Sequence, residues 1–426
     1  RLVDDSGKVD VVDVGALRTA QIAAQLPALP NPAEQRVPSQ TPDTSEVSDA
    51  ERAATLTSSS DELIDKGGNY KVCYKLGYSY IDAKKGEDYL IGQTSTAVGH
   101  EPARYMYAAV QNASGATVWS GWLDSEGCSP SFNHANGTYK GWVTTALYRS
   151  ASNVTINLTP TDSSGFLWYW QNYSISGSGG TITLDGFGAD TVSSAAIAAA
   201  NTLYRSTSAW PSGTTSNVYV NQNCPSTGSG GCASGNNIWL GQDNFGVYLG
   251  WFKFVTSHEL GHVVMRALFG TPLNSYDNDA PSDLCQCKHV LTANQLHCLQ
   301  SRHHVATAQV EGWAQFFGST NLNVGTQSDC TFVYYKEFKL GNGVVQPVPN
   351  AKACYTPILW METYCPGTTR GVEWDWMNFY WRLDNKDSYA YADFKSVYQQ
   401  ACGGSCSGAT TAVKWSNTLA AAAAVF

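Results

Sequence analysis

The stretch from Trp251 to Phe269 constrains the fold of this chain more than any other. Trp251, Phe252, Phe254 and Val255 come before the pentapeptide His258-Glu259-Leu260-Gly261-His262, and Val263, Val264, Leu268 and Phe269 follow it. Such a helix is apolar nearly all round and belongs inside a protein. Gly270 and Pro272 then supply ordinary stop signals. Two histidines and a glutamate buried with nothing to offset them would be costly. The fold must therefore bring something to that helix that compensates them.

A metal ion is the compensation that the spacing suggests. Residues i and i+4 share one helix face, so His258 and His262 can hold one ion together. Glu259 follows the first histidine directly and can reach a water on that ion. Imidazole nitrogen suits Zn²⁺, and water on zinc loses a proton far more easily than bulk water. The H-E-x-x-H pattern arises by chance roughly once in a few hundred chains of this composition. Two surface histidines beside a solvated glutamate would be the bland alternative, and the apolar flanks oppose it.

The rest of the chain divides by composition. Residues 1–66 contain no aromatic side chain, hold Pro27, Pro30, Pro32, Pro38 and Pro42, and are rich in Ser, Thr, Asp and Glu from Thr41 to Asp65. Such a segment buries too little apolar surface to fold alone, and it reads as a largely disordered linker or propeptide remnant. A short helix over Val9 to Leu26 is expected within it. From Tyr70 the pattern changes to short β-branched and aromatic runs: 70–76, 105–110, 116–119, 142–148, 154–159, 167–170 and 181–184. Gly, Asn and Ser clusters separate these runs, as in an antiparallel β-sandwich, here placed at 67–186. Its aromatic residues suit core and cross-strand pairing, with glycan contact as a second use. An Ala-rich helix over Thr191 to Tyr204 follows, then strands at 218–220 and 237–241, then the motif helix. The expected class is α+β, with a third region, 187–426, made of a mixed sheet, active-site helices and a helical C-terminal half.

Helix, strands, then a motif-bearing helix is the order found in zincin metallopeptidases, and 190–320 resembles a zincin catalytic half. The residues after the motif narrow the resemblance. Val263 to Leu268 contain neither the glycine nor the third histidine of the metzincin pattern. The gluzincin pattern uses a Glu on a second helix downstream. Ala306 to Phe317 is helical in pattern and carries a single acidic residue, Glu311. The resemblance thus implies a zinc peptidase with His258, His262 and Glu311 as ligands and Glu259 as general base. One position departs: thermolysin-like gluzincins have an Asp where this chain has Gln315, so a different partner must orient a ligand histidine. His304, seven residues before Glu311, falls within about 20° of the same helix face and is a candidate for substrate or ligand support. Tyr334, Tyr335, Tyr364 and Tyr380 are all candidates for the oxyanion donor.

Composition bounds the partners. The net charge is -9 over 426 residues, and no Lys/Arg cluster occurs, which argues against a nucleic-acid surface. No apolar run is long enough to span a membrane. No signal peptide stands at Arg1, as expected of a processed or truncated form. The twelve cysteines favour an oxidising compartment, with Cys224/Cys232, Cys354/Cys365 and Cys402/Cys406 each bracketing a short loop. A second zinc site from Cys285, Cys287, His297 and Cys298 is the competing use of some of them. Asp277, Asp279 and Asp283 form an acidic loop that would suit calcium. Trp374, Met377, Tyr380 and Trp381 repeat at helical spacing as a core stripe, with Trp376 off it. The expected activity is that of a secreted zinc endopeptidase acting on extracellular proteins or peptides. A zinc exopeptidase and a non-catalytic adhesion protein with structural zinc are the alternatives. An intact Glu259 speaks against the last, since a structural site needs no base.

Overall fold

In the computed structural model the described residues are 2–3, 9–10, 68–81, 97–160, 166–206, 209–225, 230–243, 246–269, 302–303, 305–322, 337–339, 345–347, 371–372 and 380. Two short strands, β1 (Leu2–Val3) and β2 (Val9–Asp10), pair antiparallel. Val9 and Asp10 are therefore extended where a helix was expected, and the rest of that stretch lies outside the described residues. Then come β3 (Gly68–Tyr80), β4 (Ala97–Pro102), β5 (Met106–Asn112), β6 (Thr117–Trp122), β7 (Phe132–His134), β8 (Gly137–Arg149), β9 (Val154–Pro160), β10 (Trp168–Ile175) and β11 (Gly179–Gly188). Helix α1 (Thr191–Arg205), strands β12 (Thr215–Val220), β13 (Gly231–Ser234) and β14 (Asn237–Leu240), and helices α2 (Lys253–Phe269) and α3 (Val305–Leu322) follow. All seven aromatic, β-branched runs read from the sequence lie within strands or begin one residue outside them, and all three described α-helices fall where the pattern put them. The class is α+β.

Eight strands form one mixed sheet in the order β13-β14-β12-β9-β8-β5-β6, with β10 also paired to β8. Its pairings run on both sides of residue 186, because β12 joins β9 in parallel, with Val218 opposite Leu158. A smaller sheet has the order β11-β3-β4, with β7 also on β3. Here too one ladder is parallel: β11 pairs β3, with Ile182 opposite Val72. The antiparallel expectation thus holds for most ladders but not for these. Side-chain alternation has period two in either direction, so it carries no signal for strand direction.

The large sheet is covered differently at its two ends. Tyr74 of β3 donates its hydroxyl to the Ala109 carbonyl at 3.1 Å. Gly141 of β8 leaves room for Tyr74 and Leu184, so the small sheet covers β5 and β8. Helices cover the other end. Val192, Ala195, Ala196, Ala198, Ala199 and Ala200 of α1 are buried, and such small side chains let the helix lie close to its neighbours. Its start is fixed by a capping box between Asp190 and Ser193, and Tyr169 donates to that same Asp190 at 3.0 Å. Thr202 of α1 donates to Ser257 of α2 at 3.0 Å, and Arg205 donates to the Asn321 carbonyl of α3 at 2.9 Å. One continuous apolar core joins both ends.

Among the described residues two disulfides are formed, Cys73–Cys128 and Cys224–Cys232. The second is the local loop read from the sequence; the first joins positions 55 residues apart. The other bracketing pairs, Cys354/Cys365 and Cys402/Cys406, lie outside the described residues. No described helix is long and apolar enough to cross a membrane.

Candidate metal centre

Helix α2 separates its residues by face. Leu260, Val263 and Val264 turn into the core and are fully buried. On the other side His258 and His262 stand one above the other, ring centroids 4.9 Å apart and nearly perpendicular at 88°. Helix α3 packs against that side. Its Glu311 is only 1% exposed, while the histidine side chains retain 9% and 12%. The carboxylate thus closes the back of the cluster, and the histidines form the side nearer solvent.

Glu311 Oε2 lies 3.3 Å from His258 Nε2 and 3.4 Å from His262 Nε2. One ligand atom from each of the three residues falls within a 4.8 Å span. Tetrahedral coordination with bonds of about 2.0–2.1 Å places neighbouring ligand atoms about 3.3 Å apart. The two separations therefore fit a zinc-sized ion as well as they fit a direct ion pair. The donor set, two imidazoles and one carboxylate, is chemically suited to zinc and leaves a fourth position open.

The electrostatics agree with that convergence. Burial alone pushes the Glu311 carboxyl up, but His262 and His258 outweigh it and hold it at about 2. An anion at 1% exposure on an apolar helix is tolerated only with positive charge beside it.

Glu259 is buried next to the histidines. Its Oε1 faces β13, where a side chain on Gly231 would come within 3.2 Å of it. Gln315, one turn beyond Glu311, is also buried. His258 Nδ1 has no hydrogen-bond partner among the described residues. His304, Tyr334, Tyr335, Tyr364, Trp376, the Asp277/Asp279/Asp283 loop and the Cys285/Cys287/His297/Cys298 group all lie outside the described residues. Tyr380 is described, and its ring packs edge-on against Trp313 at 5.0 Å and beside Phe316 at 5.8 Å. Those two positions lie about 160° and 140° from Glu311 around α3. Tyr380 therefore packs in the core, as its place in the aromatic stripe suggested.

Sequence reasoning missed three contacts that build the centre. Gly261, inside the motif, faces Ala314 and Phe317 of α3. Gly318 of α3 faces Phe254 and the His258 backbone. Trp313 donates its indole N–H to the Gly261 carbonyl at 2.9 Å. The available signal was the glycine itself, a poor helix former retained in an otherwise apolar helix.

No protein-family model matches the chain, and a search of curated proteins finds no match.

Proposed function

We propose that this protein is a metal-dependent hydrolase of the zincin type, with His258, His262 and Glu311 as zinc ligands. Within that class we assign it as a secreted endopeptidase that cuts peptide bonds of extracellular proteins. The observation that carries the reading is the approach of Glu311 Oε2 to both histidine Nε2 atoms, at 3.3 and 3.4 Å, beside a buried Glu259. When bound, zinc supplies Lewis acidity toward the scissile carbonyl and makes an attacking water more acidic.

The chain's own residues do the rest. Glu259 accepts the proton of the attacking water on its carboxylate and returns it to the leaving amine nitrogen. Glu311 would offer its carboxylate oxygen, and His258 and His262 their Nε2 atoms, to the same ion. The two disulfides support an oxidising compartment.

Cleavage of an unfolded protein such as reduced casein tests the activity. The reading requires cleavage that a chelator stops and zinc restores. Peptides blocked at both ends should also be cut. Hydrolysis confined to peptides with a free end would make the protein an exopeptidase, and intact casein at all zinc levels would remove the catalytic reading.

A further inference from the structure

The three ligands come from two helices, so the spacing of those helices decides whether they can share an ion. We propose that Gly261 and Gly318 set this spacing, that Trp313 locks its register, and that Gly231 separately sets the position of Glu259. The inference rests on the zinc reading above and adds positioning residues to it.

At Gly261 a Cβ would stand 3.1 Å from Phe317 Cβ and 3.2 Å from Ala314 Cα. At Gly318 a Cβ would stand 3.0 Å from Phe254 Cε2 and 3.3 Å from the His258 nitrogen. The two glycines therefore face each other's helices, one from each side of the contact. Favourable carbon–carbon separations begin at about 3.5 Å. A methyl group at either position demands that the groups it meets on the opposing helix give by a few tenths of an ångström. Metal–ligand distances tolerate only about 0.2 Å. The displacement from a single methyl group thus exceeds what the coordination sphere absorbs, although it is small for packing.

Spacing alone leaves the helices free to slide. The Trp313 indole N–H on the Gly261 carbonyl, at 2.9 Å, removes that freedom. It ties the residue two positions after Glu311 to a residue between the two histidines. The bond is buried, so losing it would strand the Gly261–Trp313 pairing without water to replace it. Gly261 thus contributes twice, through its missing side chain and through its carbonyl.

Gly231 lies on β13, the edge strand beside α2. A Cβ there would reach within 2.9 Å of Leu249 Cδ1 and 3.2 Å of Glu259 Oε1. None of the three metal ligands is among its nearest neighbours. A methyl group at 231 would therefore press on the base and leave the ligands in place. The glycines divide into two sets with different consequences.

Four variants test this: Gly261→Ala, Gly318→Ala, Trp313→Phe and Gly231→Ala. Zinc affinity is read by competition with a chromogenic chelator, and coordination geometry by the visible spectrum of the cobalt-substituted protein. The thermal midpoint of the metal-free protein controls for folding. Gly261→Ala and Gly318→Ala should weaken zinc at least tenfold and alter the cobalt spectrum, with Trp313→Phe moving the same way. Gly231→Ala should bind zinc within twofold of wild type and keep its cobalt spectrum, while kcat falls at least tenfold and KM stays. Wild-type zinc affinity in both Gly261→Ala and Gly318→Ala overturns the spacing claim, and an unchanged kcat in Gly231→Ala overturns the claim on the base. A wild-type protein that takes up no zinc at all overturns the metal reading itself, which is a separate failure.

Discussion

Buried histidines occur at both ends of the large sheet, and their surroundings differ. His134 on β7 is 2% exposed, with Phe132 at 4.0 Å, Tyr139 at 4.8 Å and Tyr70 at 5.9 Å between ring centroids. Neither of its nitrogens has a hydrogen-bond partner among the described residues. Burial lowers its pKa to about 4, so it sits as a neutral aromatic ring in a cage of other rings. His258 is buried as well and His262 is half-buried, but they converge on a carboxylate. A buried histidine is thus not evidence of a site by itself. What marks the helical end is that three potential ligand atoms converge within 4.8 Å of one another, where the sheet-covered end surrounds an imidazole with aromatic rings.

The largest effects should come from the helical end. Glu259→Gln removes the base but no ligand, so hydrolysis should fall at least about a hundredfold while zinc stays bound. Parallel activity and metal assays on that variant check this, and retained turnover would break the assignment of Glu259. Removing zinc with a chelator should also lower the unfolding temperature. A ligand at a thousandfold excess over its Kd contributes about 4 kcal/mol to the folded state. Calorimetry with and without zinc measures it, and coincident melts would show that the folded centre holds no ion.

The sheet-covered end should respond to other changes. Cys73–Cys128 closes a separation of 55 residues, which in the chain-entropy account is worth about 4 kcal/mol. Replacing both cysteines by serine should destabilise the protein by that order without altering zinc affinity. Urea unfolding and chelator competition separate the two, and a coupled loss of both would mean that the ends do not act independently.

The smallest effect is the titration of His134. Its folded pKa, about 4, lies below the ordinary 6.5, so the unfolded chain accepts a proton that the folded one refuses. The stability it contributes is complete above about pH 6.5 and is lost as pH falls toward 4. His134→Phe should flatten that decline in thermal melts taken across the window. An unchanged slope would assign the decline to other groups.

The sequence disclosed these two ends unequally. Strands from Tyr70 to Leu184 were legible because alternation and turn residues are local signals. The joining of β12 to β9, and of β11 to β3, was not, because strand direction and partner choice depend on contacts far apart in sequence. At the candidate metal centre the three residues that converge were readable from spacing on α2 and from a lone acid on α3. Gly231 was not, because nothing near it in sequence indicates that its strand lies against Glu259. His134 gave no signal, since an aromatic cage assembles only when β3, β7 and β8 come together.

Metal analysis of the purified, extensively dialysed protein tests the central claim most directly. One zinc per chain is predicted in the wild type and in Glu259→Gln, and essentially none in a His262→Ala/Glu311→Ala variant that still melts cooperatively. A wild type without zinc, or a double variant with as much zinc as the wild type, would contradict the assignment of His258, His262 and Glu311 as its ligands.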